Sequence, residues 1–175
     1  MKVKIKRAWA MPNRWTFIIK PIQKLLNEEI TPGIWVDPFC GKYSPAQITN
    51  DLNPQISATS HIDALKFLEQ LENNIADGVI LDPPYSITQA AKCYESYGKG
   101  KLDINVTNKK YWSEIRRNLA RITKPGGKAI CLGWNSQGIG KNNGFKITRV
   151  LLVPHGGGRN DTIVTVGIKN TEGRD

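Results

Sequence analysis

The sequence predicts an α/β sandwich whose sheet is mostly parallel and ends in an antiparallel hairpin. Short apolar runs alternate along the chain with segments in which apolar residues recur at helical spacing, as in parallel strands joined by crossover helices. The last two apolar runs, FKITRVLLVPH and TIVTVGIK, are separated only by the turn-forming GGGRND, which indicates a hairpin. With 175 residues we expect one domain, 1–175, which includes a basic and irregular segment at 1–14.

Two helices and four strands are predicted in the first half of the chain. Pro21 suits the first turn of a helix that TPG at 31–33 stops. A second helix is expected over ALKFLEQLEN at 64–73. The predicted strands are IWVD at 34–37, QITND at 47–51, ATSHI at 58–62 and GVILD at 78–82.

In the second half, helices are expected at 87–98 and after Asn108, whose side chain suits a helix N-cap. Residues 99–107 are polar and indicate a loop. KPGGK at 124–128 indicates a turn before the strand AICLGW, and a loop rich in glycine and asparagine follows at 133–144.

The basic residues are unevenly distributed between the two halves of the chain. The net charge is +10, and residues 86–175 hold sixteen Lys and Arg against six Asp and Glu, whereas the two kinds balance in residues 1–85. Such an asymmetry favours a polyanionic partner over mere solubility.

The cysteines and the N-terminus indicate a reducing compartment. Cys40, Cys93 and Cys131 are far apart and odd in number, which disfavours a disulfide framework or a zinc site. The basic start has no apolar run behind it, so we expect no signal peptide, no membrane association and a cytoplasmic location in a bacterial or phage-infected cell.

Three acidic residues follow predicted strands. Asp37, Asp51 and Asp82 each stand at a strand end, and in parallel sheets ligands bind beyond the carboxyl ends of the strands. A lone strand-end Asp is often only a turn former, but three together predict a common crevice.

The strand GVIL runs into a rigid elbow. Pro83 and Pro84 fix two φ angles and remove two backbone donors, and they hold Asp82 out of helical geometry. An acid therefore precedes the elbow and an aromatic ring, Tyr85, follows it.

At these residues the chain resembles the S-adenosylmethionine-dependent amino-methyltransferases, especially the adenine-N6 DNA methyltransferases of bacteria and phages. The resemblance lies in motifs that follow one another in the family order: IKPIQKLLNEEI at 19–30, VDPFCG at 36–41, NDLNP at 50–54, HIDAL at 61–65 and DPPY at 82–85. It implies a Rossmann-like class I methyltransferase fold and S-adenosylmethionine as the cofactor.

The resemblance also implies a position for the methionine part of the cofactor. Gly41 would let the backbone approach it closely. Asp37 would lie near its amino group and Lys20 would pair with its carboxylate, although a solvated helix-end charge is an equal alternative for Lys20.

The nucleoside part would meet other side chains. Asp51 would accept hydrogen bonds from the ribose hydroxyls and Asp63 from the adenine amine. Phe39 would pack on the cofactor, unless it belongs to the core.

The family chemistry assigns roles to the elbow. An exocyclic aromatic amine is a poor nucleophile because its lone pair is delocalised into the ring. Asp82 and the backbone carbonyl of Pro83 would accept its two N–H groups, the stiffness of Pro83–Pro84 would hold both acceptors in place, and Tyr85 would stack on the base, which must be flipped out of a duplex.

Two departures from the family pattern concern the segment between Asp37 and Asp51, which we call the cofactor loop. Lys42 and Tyr43 stand where the family continues with Ser-Gly after D-P-F-x-G. Asp37 and Asp51 are only fourteen positions apart, so we expect the first crossover helix to be shortened or absent and SPAQ to replace it.

The predicted substrate is adenine in DNA, recognised without a separate target-recognition domain. The minimal apparatus implies a short site, a partner that supplies specificity, or a homo-oligomer. Nucleic-acid contacts are expected at Lys99, Lys101, Lys109, Lys110 and Tyr111, where charge and aromatic rings mix. An ordinary solvated surface is an equal alternative, and His155 and Asp161 are expected to shape the hairpin turn rather than to touch the target.

Three other functions stay open. The first is an N-methyltransferase of RNA. The second is a protein-glutamine methyltransferase, which is less favoured because that family more often has Asn before the prolines. The third is a non-catalytic nucleic-acid-binding subunit with a vestigial cofactor pocket.

Overall fold

The computed structural model describes residues 2–84, 90–91 and 108–171, and within them seven strands form one sheet. The strands are β1 (Lys4–Arg7), β2 (Trp35–Asp37), β3 (Ile48–Thr49), β4 (Ala76–Leu81), β5 (Thr123–Gly133), β6 (Phe145–Val153) and β7 (Thr162–Lys169). The α-helices are α1 (Lys20–Glu29), α2 (Ala64–Glu69) and α3 (Lys109–Ile122), and short 3₁₀ turns cover Thr16–Ile18 and Lys141–Asn143. Most of the helix predicted at 87–98 lies outside the described residues.

The strand order is β1-β6-β7-β5-β4-β2-β3. All described neighbours pair in parallel except β7, which is antiparallel to both β5 and β6. Strands β1 to β6 therefore end at one edge of the sheet, which we call the carboxyl edge. The predicted mostly parallel sheet with a closing hairpin is confirmed.

Helices cover both faces of the sheet. Ile22, Leu25 and Leu26 of α1 are buried in a cluster with strand residues such as Trp35 and Ile80 on one face. α2 and α3 share a second cluster on the other face. Two apolar layers thus hold the sheet between helices, as a Rossmann-like sandwich requires.

Partly buried ion pairs fix the direction of α1 on the sheet. Glu29, at its C-terminal end, accepts from Lys128 at 2.9 Å and from Arg149 at 2.9 Å. Lys128 pairs with Gly78, near the start of β4. The C-terminal end of α1 therefore lies toward the amino ends of the strands, and its first residue, Lys20, lies toward the carboxyl edge.

The N-terminal cap of α3 is as predicted. The Asn108 Oδ1 atom accepts from the Lys110 backbone N–H at 2.8 Å, which satisfies one of the free donors in the first turn. Ile115, Leu119 and Ile122 share the buried face. The helix is thereby held with its exposed N-terminal lysines away from the core.

Three predictions about elements are wrong. The segment 1–14 is not irregular throughout, because Lys4–Arg7 forms the edge strand β1 along β6. KPGGK at 124–128 does not precede β5 but lies within it: Ala76 pairs with Thr123 and Gly78 with Lys128, so the residues between bulge out of the ladder. ATSHI at 58–62 forms only a bridge between Ser60 and Asn50.

The expected loss of the first crossover helix is confirmed. Residues 38–47, between β2 and β3, contain turns and bends but no helix. None of the helices in the described part of the chain is both long and apolar enough to cross a membrane.

Candidate active site at the carboxyl edge

Asp37 ends β2 and is fully buried. Its Oδ1 atom accepts from the Phe39 backbone N–H at 3.0 Å and its Oδ2 atom from the Ser44 hydroxyl at 2.6 Å. Burial raises the pKa of Asp37 to about 7, against the effect of these two donors, and the negative charges of Asp82 and Asp51 raise it further. Asp51 and Asp82 are thus both close enough to influence Asp37.

Asp51 and Gly41 are joined across the cofactor loop. The Gly41 backbone N–H donates to Asp51 Oδ2 at 3.0 Å, and that of Asn53 donates to Oδ1 at 2.8 Å. Burial raises the pKa of Asp51, and both donors oppose the rise. Gly41 has a φ of +53°, which a residue with a side chain rarely adopts, so glycine is favoured in this turn.

A buried amide, Asn50, ties the loops of the site together. Its Nδ2 atom donates to the carbonyls of Pro38 and Ile62 at 3.2 and 3.0 Å, and its Oδ1 atom accepts from the Ile62 N–H at 3.1 Å. The sequence patterns do not predict a separate role for Asn50. The feature that could have indicated one is a polar residue between a predicted strand and the acid that follows it.

Asp63 caps a helix and also meets α3. Its Oδ1 atom accepts from the backbone N–H groups of Leu65 and Lys66, and its Oδ2 atom accepts from the Tyr111 hydroxyl at 2.8 Å. Tyr111 is buried. This position favours a structural role for Tyr111 over a contact with nucleic acid, since its ring is turned into the protein.

Phe39 lies half-buried between the cofactor loop and α3. It packs against the core cluster and its ring centroid is 5.8 Å from that of Trp112. The ring of Trp112 in turn meets that of Tyr111 edge-on at 5.4 Å. Both interpretations of Phe39, core residue and wall of the crevice, are compatible with this position.

The elbow follows β4 directly. Asp82, Pro83 and Pro84 are half-buried, and the charge of Asp82 reaches Asp37 at the end of the neighbouring strand β2. The acid before the prolines therefore lies at the carboxyl edge beside the cofactor loop. Tyr85 lies outside the described residues.

The altered residues after Gly41 meet the N-terminal segment. The Trp15 ring lies 3.6 Å from the position that a Cβ on Gly41 would occupy, and it meets the Tyr43 ring edge-on at 6.1 Å. Arg14 lies over Trp15 at 4.7 Å and Lys42 over Tyr43 at 5.4 Å. No local sequence pattern indicates the contact of Trp15 with this loop, because the two segments are far apart along the chain.

The predicted basic residues are partly placed. Lys20, Lys109 and Lys110 are exposed, the first at the start of α1 and the other two at the start of α3. Because Tyr111 reaches Asp63, the start of α3 lies beside the cap of α2. Lys99 and Lys101 lie outside the described residues.

His155 shapes the hairpin base, as expected. It is buried, its Nδ1 atom lies 2.8 Å from the Ala10 carbonyl, and its Nε2 atom lies 2.9 Å from the Thr162 hydroxyl. The Asp161 Oδ1 atom accepts from the His155 backbone N–H at 3.4 Å. Both side chains hold the turn.

Thiols and metal ligands contribute no further group to the described site. Cys40 and Cys131 are buried and free, and burial raises the pKa of each thiol to about 12. Within residues 2–84, 90–91 and 108–171 no group of three or more His, Cys, Asp or Glu side chains is arranged to hold a metal ion.

Comparison with solved structures identifies the fold. The 1,6-didemethyltoxoflavin-N1-methyltransferase of Burkholderia thailandensis, solved with 1,6-didemethyltoxoflavin and S-adenosylhomocysteine, matches with a TM-score of 0.56 and 9% identity over 85% of this chain and 76% of its own. TrmN from Thermus thermophilus matches with a TM-score of 0.55 and 18% identity over 87% of this chain. The N-methyltransferase NodS from Bradyrhizobium japonicum WM9 matches with a TM-score of 0.51 and 11% identity over 86% of this chain and 95% of its own.

These matches establish the Rossmann-like methyltransferase fold. The chain spans about half of TrmN, 49% of its length. No protein-family model and no curated protein sequence matches the chain. At such low identities the similarity concerns the fold alone.

Proposed function

We propose that this protein transfers a methyl group from S-adenosylmethionine to the exocyclic N6 amine of adenine in DNA. The observation that carries the proposal is the convergence of Asp37, Asp51 and Asp82 at the carboxyl edge, with Pro83–Pro84 directly after the last. The fold is that of methyltransferases, and the DPPY sequence narrows the acceptor to an amine.

The residues beside Gly41 fit the cofactor. Asp51, two residues after β3, offers a half-buried carboxylate for the ribose hydroxyls, since each oxygen can accept more than the one backbone bond it has. Asp63 would accept from the adenine amine, with Phe39 against the cofactor and Lys20 near its carboxylate. When bound, S-adenosylmethionine supplies an electrophilic methyl group.

Buried Asp37 suits the amino group of the cofactor. Its carboxyl is held by Ser44 and the Phe39 backbone, so its negative charge is already oriented for a cation bound beside it. A positive charge nearby would favour the ionised form that burial opposes.

The elbow would activate the target amine. Asp82 accepts one N–H and the Pro83 carbonyl accepts the other, which draws the lone pair out of conjugation with the ring. Pro83 and Pro84 restrict the backbone before the substrate arrives, so little ordering is left for the reaction step. Tyr85 would stack on the base.

The acceptor is proposed to be a nucleic acid because exposed lysines at the start of α3 stand beside Asp63, and to be DNA because the DPPY motif resembles that of the adenine-N6 DNA methyltransferases. Lys109 and Lys110 would contact phosphates there, with Lys99 and Lys101 from the preceding segment. A partner or a second copy of the chain would supply sequence specificity.

The test is transfer of labelled methyl from S-adenosylmethionine to duplex DNA, single-stranded DNA and RNA in parallel, with mass analysis of the nucleosides. N6-methyladenine from DNA is the expected product. Label in RNA alone would replace the proposed acceptor by RNA. Cofactor binding without label in any substrate would contradict the acceptor, and no cofactor binding would leave a non-catalytic nucleic-acid-binding subunit.

A further inference from the structure

The segment after β1 is fastened to the carboxyl edge. The Ala8 N–H donates to the Leu152 carbonyl at 2.9 Å and the Ala10 N–H to the Pro154 carbonyl at 3.2 Å. The buried His155 ring meets the Ala10 carbonyl on one side and Thr162 on the other. This segment therefore extends the sheet to the edge at which the three acids lie.

The fastened segment presents large side chains to solvent. Trp9 is 62% exposed and Met11 is 65% exposed, although the backbone on either side of Trp9 is hydrogen-bonded. The Trp9 Nε1 atom lies 3.5 Å from the position of a Cβ on Gly156, so the ring stands beside the hairpin turn. An ordered backbone reduces the conformational entropy that such a ring loses when a ligand stacks on it.

The same segment continues to the cofactor loop. Arg14 stands shortly after Ala10 in the sequence, and the stack of Arg14, Trp15, Tyr43 and Lys42 leads from there to Gly41. We call the set of Trp9, Met11, Arg14, Trp15, Lys42 and Tyr43 the aromatic strip. It mixes rings with cations along one edge of the sheet.

The N-terminal part of the chain, which supplies Trp9, Met11, Arg14 and Trp15, carries charge of one sign. Residues 1–27 contain seven Lys and Arg and no Asp or Glu. Residues 1–85 as a whole show no net charge, because nine Asp and Glu follow in residues 28–85. A basic surface with exposed rings suits a ligand that is polyanionic and carries flat aromatic groups. A protein partner would need acidic residues and offers no such repeat of rings.

We propose that the aromatic strip binds a single strand of nucleic acid and leads it to the crevice, with bases stacking on Trp9 and phosphates pairing with Arg14 and Lys42. This rests on the proposed function only for the role of the crevice. The binding surface includes none of the lysines for which nucleic-acid contacts are predicted from the sequence.

The experiment measures the affinity of fluorescently labelled single-stranded DNA and RNA oligonucleotides by anisotropy, with wild type and four variants. Trp9→Ala is expected to weaken binding by about fivefold or more, which is the lower range for loss of one base stack. Arg14→Ala/Lys42→Ala is expected to lower the slope of log affinity against log salt by about 1 to 2.

Matched controls keep the comparison specific. Ile5→Ala removes a side chain that is 68% exposed on β1 but carries no ring, and Lys146→Ala removes an exposed charge at the start of β6, on the opposite edge of the sheet. Both are expected to bind like wild type. Equal losses in Trp9→Ala and Ile5→Ala, unchanged affinity in Trp9→Ala, or no binding of either strand by wild type would overturn the proposal.

Binding and transfer separate this proposal from the proposed function. In one outcome, wild type methylates DNA and the KM for DNA is unchanged in Trp9→Ala and Arg14→Ala/Lys42→Ala. This outcome would refute binding by the aromatic strip but would support the proposed methyl transfer. Strand binding that depends on Trp9, without methyl transfer to any nucleic acid, would support the strip and refute the activity. Retained binding of S-adenosylhomocysteine by the variants would show that their crevice is intact.

Discussion

Burial of the Asp37 carboxyl group in the site costs free energy. Its carboxyl is fully buried, and two hydrogen bonds do not compensate for the loss of water, so its pKa is raised to about 7. An apolar residue at the end of a buried strand would avoid this cost. The acid therefore points to a ligand that meets it, since functional sites are where such costs are retained.

The first prediction concerns the pH dependence that follows from this pKa. The unfolded chain releases the Asp37 proton near the ordinary value of 3.8 and the folded chain near 7, so ionisation destabilises the native state as pH rises between them. Asp37→Asn removes this effect, and its Nδ2 and Oδ1 atoms can still meet Ser44 and the Phe39 N–H. Relative to wild type, its free energy of unfolding is expected to rise by on the order of 3 kcal/mol between about pH 4 and pH 7.5.

Urea unfolding of both proteins across this pH range measures the difference. Titrating groups far from Asp37 affect both proteins alike and cancel, whereas Asp51 and Asp82 interact with its charge and belong to the measured difference. Parallel pH profiles would show that Asp37 ionises in the folded protein near its ordinary value.

The second prediction concerns Asp82. If its carboxylate accepts an amine N–H in the transition state, Asp82→Ala lowers the rate of methyl transfer by about 10²-fold or more, as loss of a preorganised hydrogen-bonding group does. Affinity for the DNA strand and for S-adenosylhomocysteine stays within about twofold, a change of roughly 0.4 kcal/mol. Single-turnover transfer assays and binding titrations test both parts, and a fully active variant would contradict the mechanism.

At the scale of elements, Asn50 links several segments of the site. β3 has only two residues, and the predicted strand after it is reduced to the bridge at Ser60. The Asn50 amide links the turn after β2 to Ile62, just before the cap of α2. These side-chain bonds add to the backbone bonds that join β3 to its neighbours.

The third prediction follows from these bonds. Asn50→Ala leaves the buried Pro38 carbonyl and the half-buried carbonyl and N–H of Ile62 without their partner, so the free energy of unfolding is expected to fall by about 2 to 4 kcal/mol. Asn135→Ala is the control, because Asn135 is exposed and its side chain accepts from the Gln137 N–H two residues away. Thermal and chemical unfolding compare the two, and similar small losses would show that the Asn50 bonds are exchanged for water.

The elements that sequence patterns predict are those with a buried face. α1, α3, β4 and the hairpin follow the apolar spacing, because their side chains are buried where the spacing places them. β1 is an exception, because its four residues are all exposed and only backbone bonds to β6 make it a strand. Those bonds join residues that are far apart in the sequence, such as Lys4 and Arg149, so no local sequence pattern predicts them.

The candidate site divides in the same way. Asp37, Asp51 and Asp82 are predictable because each ends a strand, and topology brings strand ends together. The contact of Trp15 with the Gly41 loop is not, since it depends on how the segment before α1 turns back over the carboxyl edge. Within that loop, Tyr43 meets the Trp15 ring and Lys42 lies over Tyr43.

For the whole molecule, the distribution of charge matters more than its total. Two basic regions, residues 1–27 and the second half, flank an acidic middle that contains the three site acids and ends at Asp82. Lys20 from the first region and Lys109 and Lys110 from the second lie toward the carboxyl edge. These lysines put positive charge beside the strand-end acids, where a polyanion would neutralise it.

The last prediction is the salt dependence of nucleic-acid binding. If Lys109 and Lys110 contact phosphates at this edge, the affinity for duplex DNA decreases linearly on a log-log plot against salt, and Lys109→Ala/Lys110→Ala lowers the slope by about 1 to 2 because fewer counterions are released. Lys146→Ala, which removes a charge from the amino edge, leaves the slope unchanged. Anisotropy titrations from low to physiological salt give the slopes. A wild-type affinity that does not change with salt would show that phosphate contacts contribute little, and equal slopes in both variants would place the contacts on other residues.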